Sequence, residues 1–74
     1  MKEQLLSIIN DIRKAKNLGP LQTLKESDSF RSDLELTSFD LAELTVRVED
    51  EFGVDIFENG LINTVGEIYT QLEK

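Results

Sequence analysis

The 74-residue chain has no cysteine and no histidine, and it sets eight Lys/Arg against fifteen Asp/Glu for a formal net charge of −7. Disulfides and thiolate metal sites are therefore excluded, as are the commonest general base and the commonest zinc ligand. A chain of this length is expected to form one domain, 1–74, with too little volume for a deep catalytic cleft, so chemistry at this protein must be brought in from outside.

The charge is unevenly placed. Residues 1–31 hold six Lys/Arg against four Asp/Glu, a balance of +2, whereas residues 32–74 hold only Arg47 and Lys74 against eleven acids, a balance of −9. That second half lacks the cationic footprint that nucleic acid requires and opposes an anionic membrane surface. It suits a partner with a basic patch, since opposite fields steer encounter, although a solvated acidic face also serves solubility. No apolar run approaches the ~20 residues of a membrane span, and the N-terminus lacks the apolar stretch of a signal peptide. A cytoplasmic protein, monomeric and without nucleic-acid or membrane partners, is expected.

In chain order, the first amphipathic segment runs from Lys2 to about Lys16. Leu5, Ile8, Ile9 and Ile12 fall at i, i+3, i+4 and i+7, the stripe of a helix packed on a core. Asn17-Leu18-Gly19-Pro20 ends it, with glycine suited to the left-handed position after a helix and proline unable to continue the ladder. The connection from Asn17 to Leu36 is long. Leu18, Leu21, Leu24, Phe30, Leu34 and Leu36 recur along it and predict a segment pinned to the core, with a short helical turn near Leu21 to Lys25.

The second helix is predicted over Thr37 to Phe52, TSFDLAELTVRVEDEF. Thr37…Asp40 has the S/T-x-x-D/E spacing of a capping box, in which the threonine oxygen accepts an amide of the first turn. With Thr37 as the cap, Ser38 is the first helical residue and its hydroxyl is spare, at a position where backbone amides and the macrodipole favour a phosphate. At ~100° per residue Leu41, Leu44, Val48 and Phe52 form the core stripe. Phe39 and Val46 fall on the far side among Glu43 and Asp50, a small apolar patch rimmed by carboxylates.

Beyond Phe52, Gly53, Gly60 and Asn63 leave room for one short helical turn around Glu58 to Ile62. The last segment, Thr64 to about Leu72, repeats the helical stripe with Val65, Ile68, Tyr69 and Leu72, weakened slightly by Gly66. Ile8, Ile12, Leu44, Val48, Phe52, Val65, Ile68 and Leu72 are the predicted core. Asp55-Ile56-Phe57-Glu58-Asn59-Gly60 imitates the start of a calcium loop. Phe57 and Gly66 nevertheless occupy the positions that need a carboxylate-type ligand and a glutamate, so no dedicated metal site is expected; Glu49, Asp50 and Glu51 offer only unspecific divalent binding.

The stretch Asp33-Leu34-Glu35-Leu36-Thr37-Ser38-Phe39-Asp40-Leu41-Ala42-Glu43-Leu44 resembles the prosthetic-group segment of acyl carrier proteins. There an Asp-Ser-Leu triplet opens the second helix and its serine bears 4′-phosphopantetheine. The likeness continues through Val48-Glu49-Asp50-Glu51-Phe52-Gly53-Val54-Asp55-Ile56, and includes Phe30 and Thr64-Val65. It thus spans nearly the whole chain. It implies an all-α fold, a small four-helix arrangement of three main helices plus one short helix with a long first connection. It also implies that Ser38 is the attachment point, loaded from coenzyme A by a phosphopantetheinyl transferase. The implied function is non-enzymatic: acyl groups are held as thioesters on the arm and presented to acyl-loading and acyl-using enzymes of fatty acid or specialised lipid and secondary-metabolite biosynthesis. Phe39, Asp40, Glu43, Val46, Arg47 and Asp50 are the residues expected to meet the basic docking patches of those partners.

The sequence departs from that pattern where Thr37 replaces the usual aspartate, Phe39 the usual leucine and Glu35 a common glycine, and it is shorter between Ile56 and Val65. These departures favour a specialised carrier. A stand-alone aminoacyl carrier (peptidyl or D-alanyl) and an unmodified carrier-like interaction module are the alternative readings.

Overall fold

The three amphipathic stretches become three helices, α1 (Lys2–Ala15), α2 (Ser38–Phe52) and α3 (Val65–Leu72). The computed structural model describes residues 2–58, 60 and 62–73. Of the three helices α1 and α2 pack against each other most extensively. Leu5, Ile9 and Ile12 of α1 meet Leu44 and Val48 of α2 and Val65, Ile68 and Tyr69 of α3 in one core. Removing those side chains from water is the main force holding the elements together. Among the predicted core positions Ile12, Leu44, Val48, Val65 and Ile68 are buried, while Ile8, Phe52 and Leu72 are half-buried against the rim. Ile56 and Ile62 complete the core from the chain between α2 and α3.

α1 ends at Ala15, its left-handed stop two positions before the glycine that the sequence offers. Asn17, not Gly19, takes the left-handed conformation, with φ 63°. The Leu18 amide then reaches the Arg13 carbonyl at 2.9 Å and the Asn17 amide reaches that of Lys14 at 3.0 Å, the paired bonds of a Schellman ending. A short amide side chain tolerates that backbone region nearly as glycine does.

The long connection is pinned as predicted, with Phe30, Leu34 and Leu36 buried and Leu21 and Leu24 packed on the core. The helical turn expected near Leu21 to Lys25 does not form. The Leu21 backbone is instead engaged by Asn10 of α1, whose amide nitrogen donates to the Leu21 carbonyl at 3.0 Å and whose oxygen accepts the Leu21 amide at 2.8 Å. Farther on, the connection runs antiparallel to the start of α3. Ser29 and Thr64 form an isolated bridge, and the Phe30 amide donates to Asn63 at 3.0 Å.

This strap also caps α3. Thr64 makes no side-chain cap; the Val65 amide donates to the Asp28 carbonyl at 3.0 Å and the Gly66 amide to the Glu26 carbonyl at 2.9 Å. Two amides that a helix start leaves unsatisfied thus find acceptors in the connection. The short helix expected around Glu58 to Ile62 is not seen among the described residues. Turns close there, from the Glu58 amide to Asp55 and from the Gly60 amide to Phe57; Asn59 and Leu61 lie outside the described residues.

Candidate functional site

The start of α2 is built by its own first turn. Thr37 is the N-cap, and the capping box is complete: the Asp40 amide donates to the Thr37 hydroxyl at 3.2 Å, and Asp40 Oδ2 accepts the Thr37 amide at 2.9 Å. The same Oδ2 accepts the Thr37 hydroxyl at 3.0 Å and the Lys16 ammonium at 2.6 Å. Asp40 is only 8 % exposed as a result. The Lys16 ammonium, and after it the Thr37 amide, hold the Asp40 carboxyl below its ordinary range, while partial burial pulls the other way. Asp40, counted among the docking residues through the resemblance, is thus largely buried and not set on the outward face with Phe39 and Val46. Its carboxylate is drawn inward by Lys16.

Two cations, Arg13 of α1 and Lys16 just beyond its end, fix the segment just before α2. Arg13, 6 % exposed, donates to the Leu34 carbonyl at 2.7 Å and to the Gly19 carbonyl at 3.0 and 3.2 Å. Lys16 adds a 2.6 Å bond to the Glu35 carbonyl. Between them Glu35 takes φ 59°, a left-handed conformation in which a β-carbon is strained. That is the position where the resemblance sets a glycine against Glu35.

Ser38 is exposed, and capping does not use its hydroxyl. The hydroxyl is nonetheless partnered: the Arg31 guanidinium donates to Ser38 Oγ at 2.6 Å. Ser38 and Arg31 open onto a cleft of about 420 Å³ whose walls include Leu41, Ala42, Thr45, Phe57 and Ile62. The amides of Ser38 and Phe39 lie in the first turn, which has no intrahelical acceptors.

Phe39 and Val46 stand out from α2 at 80 % and 62 % exposure, and Asp50 is exposed beyond them. Arg47 lies across this face. Its Nε is 3.0 Å from Glu43, one turn away, and its Nη1 is 3.6 Å from Asp11 of α1. Glu43 is thereby locally compensated, whereas Asp50 forms no ion pair among the described residues. No three potential metal ligands converge among the described residues.

Sequence reasoning missed Arg13, Lys16 and Arg31. A faint signal existed for the first two: with Asn10 they recur every third position through the first amphipathic segment, polar residues among its apolar stripe. Arg31 had none.

Residues 3–72 match the family described as the phosphopantetheine attachment site. The chain belongs to that family. It is also 31% identical over 75 residues to the meromycolate extension acyl carrier protein of Mycobacterium leprae (strain TN), an alignment that covers 99% of this chain and 64% of the relative. The chain thus spans less than two thirds of the length of that curated relative. No solved structure matches it. The prosthetic group of that family is 4′-phosphopantetheine, held covalently. No helix among the described residues is long and apolar enough to cross a membrane.

The residues around Ser38 fit that group. A phosphodiester needs a hydroxyl to bear it and donors for its charge, and an exposed serine, a guanidinium and two first-turn amides meet here. The cleft next to them has the apolar walls that an aliphatic chain prefers.

Proposed function

We propose that Ser38 bears 4′-phosphopantetheine and that residues 1–74 act as one carrier domain. In this role the chain presents acyl groups to the enzymes of fatty acid or specialised lipid and secondary-metabolite biosynthesis. When attached, the arm supplies a terminal thiol that holds the cargo as a thioester. The chain's own residues attach, orient and present it. The observation that carries this reading is the division of labour between two adjacent hydroxyls. Thr37 Oγ1 is committed to Asp40, while Ser38 Oγ lies outside the cap, exposed, at the head of α2.

Arg31 donates to the Ser38 oxygen and leaves its proton free to be given away. No carboxylate accepts that proton among the described residues, and Asp40 is engaged by Thr37 and Lys16. The base must therefore come with the transferase, which keeps the unpartnered carrier inert. The docking face supported here comprises Phe39, Glu43, Val46, Arg47 and Asp50, with exposed apolar centres and a net negative rim suited to a basic patch.

The test is intact mass after incubation with coenzyme A and a broad-specificity phosphopantetheinyl transferase, followed by peptide mapping. Ser38→Ala should abolish the adduct with little change in stability. Thr37→Ala should cost about 0.5–2 kcal/mol as a lost cap and still accept the group. An adduct on Thr37 would overturn the assignment, and no adduct with several transferases would favour an unmodified interaction module. Loading of the modified chain by an amino-acid ligase, and not by acyl donors, would move the cargo to aminoacyl groups.

A further inference from the structure

Arg31 stands apart from the other two arginines of the chain. Arg13 and Arg47 each have a carboxylate within 4.0 Å, but Arg31 forms no ion pair among the described residues of a protein that is otherwise rich in acids. Its guanidinium is instead set against a neutral hydroxyl, with Nη2 2.6 Å from Ser38 Oγ. One neutral hydroxyl uses little of a planar fork of five donors, whose natural complement is an anion with two oxygens. A phosphodiester on that hydroxyl carries one negative charge on two non-bridging oxygens, the anion for which an arginine is the preferred bidentate partner.

We infer that Arg31 is the positioning residue for the attached group, pairing with its phosphate and holding the root of the arm on the side of the cleft. Arg31 lines that cleft together with Leu41, Ala42, Thr45 and Phe57, whereas Phe39 and Val46 take no part in its walls. An ion pair at Arg31 therefore anchors the arm away from the docking face of α2, so that a partner enzyme can seat on Phe39 and Val46 without displacing it. The inference rests on attachment at Ser38, and it concerns what the chain does with the phosphate once it is there.

The experiment compares the wild-type chain with Arg31→Lys and Arg31→Gln, each converted with coenzyme A and a broad-specificity transferase and checked for an adduct on Ser38 by mass. The phosphodiester ³¹P resonance is then followed from about 0.1 M to about 1 M salt, over which the screening length falls from ~10 Å to ~3 Å. The wild-type resonance should be displaced from that of Arg31→Gln at low salt and converge on it at high salt, with Arg31→Lys between them. The Arg31 side-chain ¹H–¹⁵N resonance should also move between the unmodified and modified wild type. An identical phosphorus resonance in all three proteins, with Arg31 unmoved, overturns the pairing while leaving attachment intact. Absence of an adduct on wild-type Ser38 overturns both. If Arg31→Gln resists modification, the Arg31 resonance of the wild type alone decides.

Discussion

Three donors meet on one oxygen of Asp40: the Thr37 amide, the Thr37 hydroxyl and the Lys16 ammonium. The folded chain thus favours the ionised carboxylate and holds its pKa below the unfolded value of about 3.9. For a depressed acid, the stability contribution is complete above the unfolded pKa and is lost as pH falls through the folded one. Asp40→Asn should therefore be less stable than wild type at pH 6. The gap should narrow below about pH 4, as denaturant midpoints at pH 6, 4 and 3 would show. A gap that stays constant with pH would mean that the charge contributes nothing. The capping box was legible in the sequence because its partners are three residues apart. The Lys16 contact was not, because its partner lies 24 residues away and no local pattern encodes it.

At the scale of elements, α3 is the telling case. Eight residues are too few for a helix to persist alone, and its first turn borrows its acceptors from the connection. Gly66 looked like a mild weakness in the sequence, yet a β-carbon there would meet the Glu26 carbonyl oxygen at 3.0 Å and Glu26 Cβ at 3.2 Å. That same carbonyl accepts the Gly66 amide, so it cannot withdraw without breaking the cap. Gly66→Ala should destabilise the protein by about 1–3 kcal/mol, the usual cost of overpacking, against a helix-propensity gain of ~1 kcal/mol. A raised midpoint in thermal or denaturant unfolding would show that the strap yields easily. The helices themselves were readable because a 3.6-residue period is a local signal. The strap was not, since its bonds join residues far apart in the chain.

At the scale of the whole molecule, the acidic half proves less uniform than its net charge. Arg47 ties Glu43 to Asp11 and neutralises the middle of α2, which leaves Asp50 as the cleaner probe of long-range attraction. Asp50→Lys should slow phosphopantetheine transfer severalfold at low ionic strength, in line with ~0.2–1 kcal/mol per exposed pair, and the difference should fade towards physiological salt. Its unfolding midpoint should stay within about 0.5 kcal/mol of wild type. Equal transfer rates at low salt would reduce the acidic face to a solvation device. The sequence disclosed the exposed Phe39 and Val46 from the wheel of α2 alone; Asp40 was counted with the docking residues through the resemblance, which carries no trace of the lysine just beyond α1 that holds its carboxylate.

The single ammonium of Lys16 touches the chain at two places, the carbonyl of Glu35 and the carboxylate of Asp40. Residues 35–40 therefore form a short arch with both feet on one cation, and Ser38 sits near its crest. Fixing the backbone of a mobile segment costs about 1–2 kcal/mol per residue, and a flexible arch would impose that cost at each encounter with an enzyme. Here it is met once, on folding. Every partner thus finds the hydroxyl already in place, and contact energy can serve affinity rather than ordering.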